Sequence, residues 1–302
     1  LNISASFKTV KVIYIIIPLI IIPQLLFSGV IVKFDKLNPM FASQKDVPFI
    51  GNIMTSRWAY EALAVTQFID NKYEENIFYY ESNLKFANYK KGTWRDVVQN
   101  HLNDAKRAYN KNEITDKTKY DLLIVRNALE SESDFLHVEF DETELDVDHF
   151  NIEVYNRSND FLNKVIFEHY KNVYNDNNRK KDKIIVGLEN RLGKKEFIVF
   201  KNEFTNDRLN EFLTNKNTTT FIQEYKGELI PKKDFIYLKP FDSSFFNSHF
   251  YSPYKRIFGT WVSTLWANLL VIIGLTLLLV ITLYNDTFNR LSRISFRKKP
   301  KK

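Results

Sequence analysis

The stretch from Ile257 to Asn285, IFGTWVSTLWANLLVIIGLTLLLVITLYN, runs for 29 residues without a charged side chain. A second such stretch, VIYIIIPLIIIPQLLFSGVIV, covers the 21 residues from Val12 to Val32. A helix rises about 1.5 Å per residue, so either stretch is long enough to cross about 30 Å of hydrocarbon. Trp261 and Trp266 stand near one end of the longer stretch and Tyr284 closes the other, as interfacial aromatics do. The shorter one contains Pro18 and Pro23, which a membrane helix tolerates when neighbouring helices satisfy the freed carbonyls. Its length, and the lack of a small-residue cleavage pattern after it, argue against a signal peptide.

The charge divides around these two stretches. Of the formal net charge of +7, residues 1–32 carry +2 and residues 257–302 carry +6, while residues 33–256 sum to −1. Basic residues on the outer flanks of both segments are the positive-inside pattern, with both ends cytoplasmic and the long middle translocated. A pI near 9.2 invites a nucleic-acid reading, but the excess sits beside the hydrophobic segments, where anionic lipid headgroups are the better partner. No nucleic acid is expected. Zero cysteine excludes disulfide scaffolds, Cys-based zinc sites and thiol nucleophiles.

Between the segments the pattern is largely helical. Thr55–Ile69 reads as an amphipathic helix with Trp58, Ala62, Val65 and Ile69 at helical spacing and an Arg57–Glu61 pair one turn apart. It fits either a membrane interface, a re-entrant hairpin or an ordinary domain helix. Residues 93–111 place Trp94, Val98, His101, Ala105 and Ala108 in a coiled-coil-like stripe. Ile114–Phe135 follows after the polar run Asn110–Asp116, giving a helical hairpin. Glu130–Asp148 reads as an acidic loop and 154–175 as a third helix with His169 on its apolar face. Asn175–Asp182 reads as a turn, and Phe197–Phe200, Phe221–Tyr225 and Phe235–Leu238 as short extended pieces.

Chemistry-bearing motifs fail on inspection. Gly187–Lys194 has five residues between its glycines where a P-loop has four, and Lys195 stands where Ser or Thr is required. No HExxH or GxSxG occurs, and the five histidines include no i,i+4 pair. His137 and His149 bracket an acidic run that reads as a solvated loop. No enzymatic site is expected in this chain.

Two elements carry a family resemblance: Ile22-Pro23-Gln24-Leu25-Leu26-Phe27-Ser28-Gly29, and Ser56-Arg57-Trp58-Ala59-Tyr60-Glu61-Ala62-Leu63 at a fixed distance behind it. Together they resemble the ABC-2 type permease of G-subfamily (white/multidrug-resistance) ABC exporters. The resemblance covers roughly residues 1–80 and 250–302. It implies a mainly α membrane protein with two transmembrane helices and a re-entrant or interfacial amphipathic helix, flanking a large, mostly helical extracytoplasmic domain with minor β. The implied division is 1–32 (the family's fifth helix), 33–84 (re-entrant hairpin), 85–250 (an insertion far longer than the family's usual loop), 251–285 (the sixth helix) and 286–302 (a basic cytoplasmic tail).

Beginning at Leu1, the chain is expected to continue a longer polypeptide. The resemblance implies a valve or translocation path at Val30, Ile31, Phe27 and Leu26, and a re-entrant helix around Arg57, Trp58 and Glu61. It implies no cofactor in this chain, ATP and Mg²⁺ belonging to a separate nucleotide-binding domain. The implied partners are the lipid bilayer, an ABC ATPase domain, and a second permease half or a homodimer, in a bacterial inner membrane. A two-helix anchored interaction protein, of the sensor or polysaccharide chain-length regulator kind, has the same topology and stays open.

Overall fold

A computed structural model describes residues 1–7, 9–31, 34, 47–238, 245, 248–288 and 290. In chain order the helices are α1 (Asn2–Ser6), α2 (Val10–Leu26), α3 (Phe49–Ile53), α4 (Thr55–Ile69), α5 (Phe78–Tyr89) and α6 (Arg95–Asn110). There follow α7 (Asp116–Leu136), α8 (Ile152–Asp160), α9 (Phe167–Leu192), α10 (Lys194–Phe204) and α11 (Asp207–Leu213). An antiparallel hairpin β1 (Ile222–Tyr225) and β2 (Glu228–Pro231) comes next, then a second, β3 (Tyr254–Ile257) and β4 (Thr260–Ser263), and finally α12 (Thr264–Tyr284). Single π turns at Lys90–Trp94 and Phe161–Ile166 join α5 to α6 and α8 to α9. The fold is mainly helical, and it divides into two compact units: Leu1–Gln67 with Lys239–Lys302, and Phe68–Leu238.

The second unit is a helical domain with an apolar centre. Its core joins Val98 and Leu102 of α6, Leu122, Val125 and Leu129 of α7, and Leu162 and Ile166 of the π turn before α9. Each fully buried leucine contributes about 1.5–3 kcal/mol relative to exposure. α7 starts at a reciprocal cap: the Thr115 hydroxyl accepts from the Thr118 amide at 3.4 Å, and the Thr118 hydroxyl accepts from the Thr115 amide at 3.2 Å. The α6–α7 hairpin matches its sequence pattern, with Leu102 rather than His101 in the core. His101 sits at the rim, its Nδ1 2.7 Å from Asp121.

Five readings of this unit are corrected. Asn175–Asp182 is no turn but the middle of α9. Asn177 is buried there, its side chain donating to the Val173 carbonyl at 2.7 Å and accepting from Asn83 at 3.3 Å, and Lys181 pairs with Glu81 at 2.7 Å. Tertiary contacts hold a polar run in a helix that propensity alone leaves undecided. Phe197–Phe200 belongs to α10, where Phe197 is buried and Phe200 meets Phe204 one turn on at 5.1 Å. Phe235–Tyr237 is a 3₁₀ turn entered through left-handed Asp234, while Phe221–Tyr225 holds its strand as β1. His169 is exposed, and its neighbour Tyr170 takes the core position, donating to the buried Glu132 at 2.7 Å. α7 also runs into the stretch read as acidic loop, ending at Leu136.

The first unit holds the apolar helices. Among the described helices, α12 is the one long and apolar enough to cross a membrane, and most of its surface is exposed. It is shorter than the charge-free stretch because the chain from Tyr254 to Ser263 forms the β3–β4 hairpin. α2 contains both prolines and ends at Leu26, making 17 residues rather than the 21 of its charge-free stretch. Its stop is local: the Ser28 hydroxyl donates to the Leu25 carbonyl at 2.7 Å, and Gly29 turns at φ +80°. A Cβ at Gly29 would come within 2.6 Å of the Phe34 ring, so this turn requires glycine.

α2 and α12 run in opposite directions. At one end Asn2 of α1 donates to the Leu279 carbonyl near the end of α12, at 2.8 Å. At the other, Ser56 of α4 donates to Gln24 near the end of α2 at 2.9 Å, and Asn268, one turn into α12, donates to the Trp58 carbonyl of α4 at 3.0 Å. α4 thus lies across the end of the pair where α2 stops and α12 begins. Residues 35–46, between the first apolar stretch and α3, and nearly all of the basic tail lie outside the described residues.

Candidate functional site

α4 positions the site. Arg57 and Glu61 are one turn apart on the face that also carries Trp58, and all three are buried, at 1%, 0% and 0% exposure. The carboxylate of Glu61 gathers hydrogen-bond donors from three segments and an ion-pair partner from its own helix. Its Oε2 accepts from Lys255 Nζ of β3 at 2.9 Å and from Asn268 Nδ2 of α12 at 2.8 Å, and lies 3.5 Å from Arg57 Nη1. Its Oε1 accepts from the Tyr251 amide at 3.2 Å. Lys255, itself wholly buried, also donates to the Ser248 hydroxyl at 3.2 Å.

Trp58 is the platform for the two cations. The Arg57 guanidinium stands 3.9 Å from its ring centroid and Lys255 Nζ 5.0 Å away. Phe245 stacks against the same indole at 5.7 Å, and the indole N–H donates to the Asn52 carbonyl at 2.8 Å. Among the described residues Arg57 Nε and Nη1 have no hydrogen-bond partner, so the ring face replaces part of what water would supply.

The electrostatics follow from burial. Desolvation works to raise the Glu61 carboxyl, but Arg57, Lys255 and the hydrogen bonds from Lys255 and Asn268 outweigh it and hold it below its ordinary value. Burial brings the Lys255 ammonium down to about 8, against the pull of Glu61, and lowers Arg57 as well. Two cations share one carboxylate in a dry setting, and removing that carboxylate would leave both uncompensated. The arrangement is a joint: it pins α4 to β3, to the turn at Tyr251 and to the first turn of α12.

The sequence-derived residues are placed in two groups. Arg57, Trp58 and Glu61 come together at this joint. Leu26 ends α2 and Phe27 follows it, the first 40% exposed and the second half-buried. Val30 is half-buried and Ile31 exposed in the turn after Ser28-Gly29. Sequence reasoning missed Lys255 and Asn268. Asn268 carried a signal, since an amide inside a 21-residue apolar helix needs a partner. Lys255 carried a weaker one, as one of the last cations before the charge-free stretch. The Gly187–Lys194 segment is helical through Leu192 and forms no phosphate-cradling loop. Among the described residues no cluster of three or more metal-ligating side chains occurs. Comparison with models of known families, with curated proteins and with solved structures returns no match to this chain.

Proposed function

We propose that this chain is the membrane-spanning permease portion of an ATP-driven ABC-2 type exporter, similar to the G-subfamily. The observation that carries the reading is the first unit's construction. Two antiparallel apolar helices keep their apolar side chains outward, and an amphipathic helix bearing the Arg57–Glu61 pair is locked across their shared end. That is the order of parts the resemblance implies: a fifth helix ending in a Ser-Gly turn, a re-entrant or interfacial helix, a sixth helix. In this reading both α2 and α12 cross a bacterial inner membrane, with both chain ends cytoplasmic and the second unit outside. α1 and the chain up to Ile31 extend the 17-residue α2 toward the full thickness.

The chain itself supplies no catalytic group. ATP and Mg²⁺ act on a nucleotide-binding domain, fused or separate, and a second permease half or second copy completes the path. Val30 and Ile31, after the Ser-Gly turn, form the valve, with Leu26 and Phe27 beneath it. The coding sequence upstream of Leu1 tests the assignment: a Walker A motif, a signature motif and four further hydrophobic spans are expected. An immediate start codon instead supports the two-helix anchored interaction protein. In the complete transporter, joint replacement of Val30 and Ile31 by alanine is expected to raise basal ATP turnover, and unchanged turnover and transport contradict the valve.

A further inference from the structure

Two β-hairpins in this chain share one turn geometry and differ in the residue at its first position. β1 and β2 turn through Lys226-Gly227 at φ 53° and 80°, and β3 and β4 through Phe258-Gly259 at φ 47° and 82°. In both, the residues flanking the two-residue loop are paired, Tyr225 with Glu228 and Ile257 with Thr260. Left-handed backbone at both central positions is the type I′ turn, which favours Asn or Gly at its first position. Neither Lys nor Phe suits that backbone, so each is there for its side chain.

Lys226 is exposed, as a charge in water should be. Phe258 is exposed to 102% of its reference area, so among the described residues none covers its ring. A phenyl ring held in water in a strained backbone is unfavourable on both counts. The turns also sit differently on their surroundings. A Cβ on Gly227 would meet Leu123 at 2.9 Å, whereas among the described residues nothing lies within 4 Å of one on Gly259. The first hairpin tip is packed down; the second stands clear.

The surroundings of Phe258 indicate what covers it. Trp261, Trp266 and Tyr254 are exposed at 50%, 61% and 38%, and β4 runs without a break into α12. Arg256, just before the tip, donates from Nε to the Gly259 carbonyl at 3.3 Å with its guanidinium 5.7 Å from the Trp261 ring. Indole and phenol rings prefer the boundary between headgroups and acyl chains, and a guanidinium beside them suits lipid phosphate.

We propose that the β3–β4 hairpin is an interfacial finger that sets Phe258 in the headgroup–acyl boundary of the leaflet α12 enters. The proposal rests on the reading that α12 spans a bilayer, and names a second contact with the same lipid.

The chain contains no cysteine, so Phe258→Cys, Lys226→Cys and Leu277→Cys each accept a single nitroxide label. The full chain is reconstituted in vesicles of phosphatidylcholine and phosphatidylglycerol, and label relaxation by oxygen is compared with relaxation by a water-soluble nickel chelate. Oxygen is expected to dominate at 258 and 277, with the order reversed at 226. Nickel dominating at 258 while oxygen dominates at 277 overturns the finger and leaves the spanning reading in place. Nickel dominating at 277 as well overturns both. A label at 258 shielded from both reagents puts a protein surface, a second copy included, over the tip and overturns the finger too.

Discussion

In the second unit the buried side chains include Leu102, Leu122, Leu129 and Ile166, while Lys117, Lys119 and Arg107 stand in solvent at its surface. In the first unit the deepest include Arg57, Glu61, Lys255 and Asn268, while Ile15, Leu19, Leu277 and Leu278 face outward. The second unit has a mostly apolar core, with Asp121 and Glu132 also buried, whereas the first turns the aliphatic side chains of α2 and α12 outward and buries a cluster of charges beside Trp58 and Val65. On the proposed membrane placement, the contrast is what two different surroundings demand. Water rewards an apolar interior, whereas hydrocarbon offers no such reward and makes polar groups find each other inside the protein. Buried charge is therefore the ordering element of the first unit and buried leucine that of the second.

The sharpest way to break this contrast is to remove the central carboxylate. Glu61→Gln leaves Arg57 and Lys255 buried without a counter-charge, and a loss of about 3–5 kcal/mol is expected. Chemical unfolding of the full chain in detergent reads it. Adding Lys255→Met should recover part of the loss, because the two sites share one interaction. A Glu61→Gln protein as stable as its parent would mean the joint is ornamental.

Leucine deletions test the other half. Leu129→Ala, in the core of the second unit, is expected to cost about 2–5 kcal/mol through lost burial and the cavity it opens. Leu278→Ala, on the outward face of α12, should change stability in detergent by less than about 0.5 kcal/mol. Similar costs at the two positions would erase the distinction between the units.

A smaller effect is set by Lys255. Burial brings its ammonium down to about 8 from the ordinary 10.5, so between those values the unfolded chain holds more protons at this site than the folded one. Its contribution therefore makes stability rise with pH across that window. Lys255→Met removes the contribution, and the slope of unfolding free energy against pH should be shallower in the variant than in the parent. Equal slopes would show that Lys255 titrates as it does in water.

How much of this was legible depended on the range of the contacts. α4 was readable to the residue, because Trp58, Ala62 and Val65 repeat at helical spacing and Arg57 and Glu61 are neighbours on one turn. α12 was readable from its lack of charge, although the β3–β4 hairpin took the first part of that stretch. Both are local signals. The partners of Glu61 lie some two hundred residues away, at Tyr251, Lys255 and Asn268, and no periodicity announces a contact across that separation. The continuity of α9 through Asn175–Asp182 was hidden for a related reason. Asn177 and Lys181 are held by Asn83 and Glu81 of α5, so the helix persists through tertiary contacts that a polar run does not advertise.

The membrane placement that explains the contrast is tested most directly by sidedness. Single cysteines at Ser4, Lys226 and Asn285, in a chain that otherwise has none, are exposed in intact cells to a membrane-impermeant maleimide. Labelling at 226 from outside, with 4 and 285 labelled only after permeabilisation, is the expected result. Labelling of position 4 together with 226 in intact cells would contradict it, because α2 would then fail to cross the membrane.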